Sequence, residues 1–150
     1  MKGLIQRVVS ASVQVNDKVI SSITKGYLIF LGIEKNDGQE DLDYIVKKTI
    51  NLRLFEDSQK KMNSSIKDVN GMVLVVSQFT LCANTKKGNR PSFINAAKPN
   101  FANQMYEQYC KQLKLNNVKV EKGVFGASMQ VNLVNDGPVT MMLDSNININ

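Results

Sequence analysis

The sequence contains no histidine and no tryptophan, and only two cysteines and three prolines among its 150 residues. Without histidine the most frequent general base is missing, and Ser-His-Asp or Cys-His chemistry is excluded. Cys82 and Cys110 lack C-x-x-C spacing, so they suit neither a disulfide framework nor a four-ligand zinc site and read as buried free thiols. No metal and no cofactor is expected. No apolar run approaches the ~20 residues needed to cross a bilayer. The start Met1-Lys2-Gly3-Leu4-Ile5 lacks a signal peptide's apolar region and cleavage site, so the expected location is cytoplasmic. An enzyme built this way must work through backbone geometry, hydroxyls, amides or the substrate itself.

What is present suits one ordinary domain spanning 1–150, with 43% hydrophobic and 21% charged residues. The polar tail 144–150 is expected to fray. A net charge of +6 favours a polyanionic partner. Lys86, Lys87 and Arg90 cluster around Gly88, and Lys98, Lys111, Lys114, Lys119 and Lys122 follow. A solvated basic face and a phosphate-binding face fit these residues equally.

Leu4 to Val15 and Lys18 to Ile23 read as strands joined by an Asn16-Asp17 turn, and Gly26 introduces the apolar run Tyr27 to Ile33. Leu42, Ile45, Val46, Thr49 and Ile50 then share one helical face. Met72 to Val76 is a continuous apolar run of buried-strand length, beyond which Ser77 and Phe79 alternate with Gln78 and Thr80. Pro99 suits the first turn of a second helix with a core stripe of Phe101, Met105, Tyr109 and Leu113. Lys119 to Glu121, Ser128 to Val134 and Val139 to Leu143 read as strands, with a turn over Asn135 to Pro138. Helices interrupting a mainly β chain without regular βαβ alternation predict a mixed α/β sheet or open barrel with two flanking helices.

Two segments carry the candidate chemistry: Ser77-Gln78-Phe79-Thr80-Leu81 and Asn135-Asp136-Gly137-Pro138-Val139-Thr140. Gly137-Pro138 can adopt cis, because an X-Pro bond pays only about 0.5–1 kcal/mol for it. Thr80 offers a hydroxyl nucleophile, but nothing adjacent in sequence activates it. Phe79 and Phe125 could stack on a base or pack in the core. Arg7 could hold backbone carbonyls or form a surface ion pair.

Together with Ile5-Gln6-Arg7-Val8, Asn51 to Asp57, Gly88 to Phe93 and Gly126-Ala127-Ser128-Met129, these segments resemble the signatures of the D-aminoacyl-tRNA deacylases across the whole chain. The resemblance implies a barrel-like, mainly antiparallel α/β fold, a homodimer and hydrolysis of the ester joining a D-amino acid to tRNA. Glycine mischarged onto tRNA would be a second substrate. It implies a cis Gly137-Pro138 inserted into the other subunit's pocket, rejecting L-amino acids by steric overlap. Ser77, Gln78, Phe79 and Thr80 would be catalytic, with Phe125, Met129 and Arg7 joining Gly137 and Pro138 in substrate binding. Lys86, Lys87 and Arg90 would hold tRNA; neither DNA nor a membrane is an expected partner. With no histidine, assistance by the tRNA's terminal 2′-OH is favoured over attack by Thr80. The competing reading is a basic RNA-end-binding module that cuts no bond.

Overall fold

The computed structural model describes residues 1–146. β1 (Lys2–Val15) is the long organising strand. β8 (Gln130–Asp144) runs antiparallel along one whole edge of it, from Lys2↔Asp144 to Gln14↔Gln130. The other edge is shared end to end by β2 (Lys18–Ile23), opposite Ala11 to Val15, and β3 (Gly26–Gly32), opposite Lys2 to Val8. β6 (Met72–Ser77) adds to β3 in parallel, and β7 (Lys119–Lys122) adds to β6 in parallel. β2 also approaches β6 and β7, which curls the sheet toward a barrel. β4 (Phe55–Glu56) and β5 (Met62–Ser64) form a separate small hairpin.

Two apolar layers follow. Val8, Ala11, Val13, Ile23, Leu28, Leu74 and Val76 fill one face of the sheet. Ile5, Tyr27, Ile29, Val73 and Val75 fill the other, against both helices. The run Val73 to Val76 serves both layers, and burial on both faces is why it shows no alternation. α1 (Gln39–Asn51) starts where Gly38 N donates to the Asp41 carboxylate at 2.8 Å, and it buries Leu42, Ile45, Val46, Thr49 and Ile50 as expected. α2 (Pro99–Leu115) begins on its proline. The two helices are tied by a buried 2.7 Å hydrogen bond between the Thr49 and Tyr109 hydroxyls. No described helix is long and apolar enough to cross a membrane.

Four local readings are corrected. Phe101 is exposed rather than part of the α2 stripe; Tyr106 and Cys110 join Met105, Tyr109 and Leu113 on the buried face. After Ser77 the chain leaves the sheet and coils into a 3-10 turn, Phe79–Cys82, so Cys82 is not in a strand. Asn135 to Pro138 belongs to β8, with register shifts opposite Val8, because β1 supplies a pairing edge on both sides of it. Asp144 still pairs with Lys2, and Ser145 N donates to Met1 O, so fraying does not begin there. The rest of the expected tail, 147–150, lies outside the described residues.

Candidate active site

The parallel pairing of β3 and β6 delivers Ser77 to the end of the sheet. Gln78 N extends the ladder by one bond to Leu31 O at 2.8 Å, and the chain then turns. The first N–H groups of a helical turn have no partner within it. Here those belong to Phe79 and Thr80, and neither has a backbone acceptor in a described turn or loop.

Ser77, Gln78 and Phe79 form one wall of a cavity of about 520 Å³, with Phe125 and Met129 also lining it and Pro99 contributing from the start of α2. Phe125 rests on the buried Tyr106 ring, with centroids 5.9 Å apart, so it is both core-packed and cavity-facing. Phe79 meets Phe93 edge-on at 4.9 Å, and both rings are partly open to solvent. Such aromatic surfaces suit stacking of a nucleobase.

Among the described residues, no acidic or basic side chain lines this cavity. Thr80 is exposed and is not among the lining residues. Its hydroxyl oxygen accepts from the Gln78 side-chain amide, which cannot serve as a base. The thiols offer no alternative: burial pushes Cys82 up to about 11 and Cys110 up to about 12, and both stay protonated. Among the described residues, no cluster of His, Cys, Asp or Glu could hold a metal ion.

The second segment is built around Arg7. This side chain is buried; its Nε donates to Asp136 O at 3.0 Å and lies 3.3 Å from the Asp136 carboxylate. Its Nη1 donates to Leu54 O, so the Asn51 to Asp57 stretch supports the same guanidinium. Both openings left for Arg7, carbonyl contact and ion pair, are therefore realised, with the arginine end of the pair buried and the Asp136 carboxylate partly exposed. Asn135, which sequence reasoning did not single out, brackets the segment. Its Oδ1 accepts from Val139 N at 2.8 Å, and its Nδ2 donates to Thr140 Oγ1 at 3.0 Å. Its position at the head of the motif was the available signal. Gly137-Pro138 is cis, and both residues are exposed.

One chain does not bring the two segments together at the cavity, since neither Gly137 nor Pro138 lines it. Gly137 lies near Arg7, whose β3 partner is Tyr27, and Tyr27 in turn pairs with Val73 of β6. Ser77 stands four residues further along β6, roughly 13 Å at the usual strand rise, and β8 is three strand spacings away, roughly 14 Å. Lys86, Lys87 and Arg90 sit on an exposed excursion closed by the Asn84–Ser92 bridge, between the 3-10 turn and Phe93. None of the three forms an ion pair among the described residues.

The sequence pattern of the D-Tyr-tRNA(Tyr) deacylase family matches residues 4–144. The chain belongs to this family. It is 53% identical over 146 residues to a D-aminoacyl-tRNA deacylase of Flavobacterium psychrophilum, covering 97% of each chain. A second D-aminoacyl-tRNA deacylase, from Finegoldia magna, is 53% identical over 145 residues, covering 97% of this chain and 98% of that one. Among solved structures, a c-Myc DNA unwinding element binding protein superposes with a TM-score of 0.91 at 41% identity, over 96% of this chain and 98% of its own. A probable eukaryotic D-amino acid tRNA deacylase shares the fold, with a TM-score of 0.82 at 17% identity, over 95% of this chain and 97% of its own. The deacylase family, the enzyme class and the mixed barrel-like fold implied by the sequence resemblance all hold.

Proposed function

We propose that the chain hydrolyses the ester between a D-amino acid and the 3′ end of tRNA, and acts on mischarged glycyl-tRNA as well. It works in the cytoplasm, where charged tRNA is consumed. The observation that carries this reading is a cavity with aromatic and amide walls and, among the described residues, no ionisable side chain, one wall of which is the Ser77-Gln78-Phe79 segment. Phe125 stacks on the terminal adenine and Met129 packs beside it. The N–H groups of Phe79 and Thr80 stabilise the oxyanion as water adds to the ester carbonyl. The proton of the attacking water passes through the neighbouring ribose 2′-OH to the 3′-oxygen, which departs as the ester C–O bond breaks, because no described residue lining the cavity can act as a base.

The protein acts as a homodimer, with Gly137-Pro138 of one copy closing the cavity of the other. Two things support this: the distance between the segments within one chain, and the exposure of Gly137 and Pro138 on a support made rigid by Arg7 and Asn135. A wall made of backbone rejects by overlap with the Cα substituent, so glycine passes and L-amino acids do not. Deacylation measured on D-tyrosyl-, glycyl- and L-tyrosyl-tRNA should show turnover of the first two and almost none of the third. Efficient hydrolysis of the L-form would remove the chiral wall. Binding without turnover of any substrate would leave an RNA-end-binding module.

Lys86, Lys87 and Arg90 hold phosphates beside the mouth. Replacing Lys86 and Lys87 with alanine should weaken binding of all tRNAs alike. It should also flatten the salt dependence by roughly 0.7–0.9 in log-log slope for each contact removed. An unaltered slope in a salt titration would place the polyanion elsewhere.

A further inference from the structure

A second basic feature lies along α2, away from the excursion that carries Lys86, Lys87 and Arg90. Lys111, Lys114 and Lys122 surround a shallow depression of about 280 Å³, together with Glu107, Leu115 and the buried Cys110. Only Lys122 has an acidic partner there, the Glu107 carboxylate at 2.7 Å. Lys111 and Lys114 are exposed and form no ion pair among the described residues. The side chains at 111 and 114 are three apart on the helix and therefore project as neighbours. Glu121 of β7 is not among the lining residues, so the described lining carries three lysines against one carboxylate, Glu107, and is net positive.

The depression and the cavity share no lining residue but are built on the same two pieces of chain, α2 and the segment that leaves β7. Lys122 ends β7 and leads through Gly123 and Val124 to Phe125, while the same helix places Pro99 and Ala102 at the cavity and Lys111 and Lys114 further along. From Ala102 to Lys111 and Lys114 the helix rises about 14 and 18 Å. At ~3.4 Å per stacked nucleotide that is the reach of about four to five nucleotides.

We propose that Lys111, Lys114 and Lys122 hold the phosphate backbone of the tRNA acceptor arm while its charged 3′ end occupies the cavity. The proposal rests on the deacylase reading and adds the path of the tRNA beyond its last nucleotide. Lysines suit this role because they contact phosphates as point charges and read no base.

The test compares Lys111→Glu/Lys114→Glu and the conservative Lys111→Arg/Lys114→Arg with the unmodified protein. Two substrates are used: full-length D-tyrosyl-tRNA, and a D-tyrosylated trinucleotide matching the tRNA 3′ end. The Glu pair should raise KM for full-length tRNA about tenfold or more near 0.15 M salt, the effect of losing two phosphate contacts. Its kcat should be unchanged, as should both constants on the trinucleotide, and the Arg pair should restore KM. Equal changes on both substrates would mean that the cavity was disturbed, and an unchanged KM on full-length tRNA would mean that the arm passes elsewhere; either overturns the proposal. Affinity of the same variants for uncharged tRNA across a salt series tests the path without any chemistry: the Glu pair should bind more weakly and with a flatter slope. The path can therefore fail while the deacylase reading stands, and the reverse.

Discussion

Gly137→Ala should lower kcat/KM for D-tyrosyl-tRNA by about 100-fold or more while the protein remains folded. Gly137 has φ +133°, a conformation that L side chains rarely adopt. A methyl group there would lie 2.8 Å from Val139 Cγ2 and 3.1 Å from both Val139 N and Arg7 Nη2. The Val139 side chain can rotate away; its backbone cannot, since Val139 N is held by Asn135 Oδ1 at 2.8 Å. The Arg7 guanidinium is likewise fixed, between Asp136 O and Leu54 O. The segment must therefore shift outward, and a misplacement of about 1 Å in a positioning element costs about 10²-fold in rate. Because Gly137 is exposed, the loss of stability should stay within the ~1–3 kcal/mol typical of one strained residue. Deacylation rates measured alongside urea unfolding separate the two effects. A variant with normal turnover and selectivity would show that this segment does not face the substrate.

Removing the substrate's own hydroxyl should have the second large effect. D-tyrosyl-tRNA ending in 2′-deoxyadenosine, charged on the 3′-OH, should react at least 10²-fold more slowly, the usual contribution of a positioned proton-transfer group. Thr80→Ala should stay within about tenfold of the unmodified protein. The physical reason is the same for both. The cavity offers no side chain that titrates, and the Thr80 hydroxyl accepts from an amide that cannot take its proton. A Thr hydroxyl without a base is a weak nucleophile. Single-turnover rates on the two substrates and two proteins decide between the mechanisms. Full activity on the deoxy substrate, with a loss of several orders of magnitude in Thr80→Ala, would make Thr80 the nucleophile.

The sequence by itself determined the chemistry that is ruled out and the strands and helices that carry strong periodicity. The absence of histidine is a fact of composition that no folding can change. The run Val73 to Val76 had to be buried on both faces, and Leu42, Ile45, Val46, Thr49 and Ile50 could share a face only on a helix. Ser77 to Leu81 and Gly137-Pro138 were visible as motifs because they combine residue types that packing alone does not require.

Tertiary structure decided where these pieces stand. Ser77 to Thr80 alternates like a strand, yet β6 ends at Ser77 and Gln78 N reaches Leu31 O just beyond it, after which the chain coils and turns Thr80 outward. Asn135 to Pro138 looks like a turn; β1 pairs with β8 on both sides of it, at Val8↔Asn135 and Gln6↔Thr140, so Asp136 to Val139 bulge out of one long strand. Arg7 could be read as a surface charge until Asp136 O and Leu54 O, far apart in sequence, met on one guanidinium. Phe125 became a cavity wall because Tyr106 supports it from α2. Periodicity reports the face that an element hides, whereas hydrogen-bond acceptors, packing partners and the distance between motifs depend on residues remote in the chain.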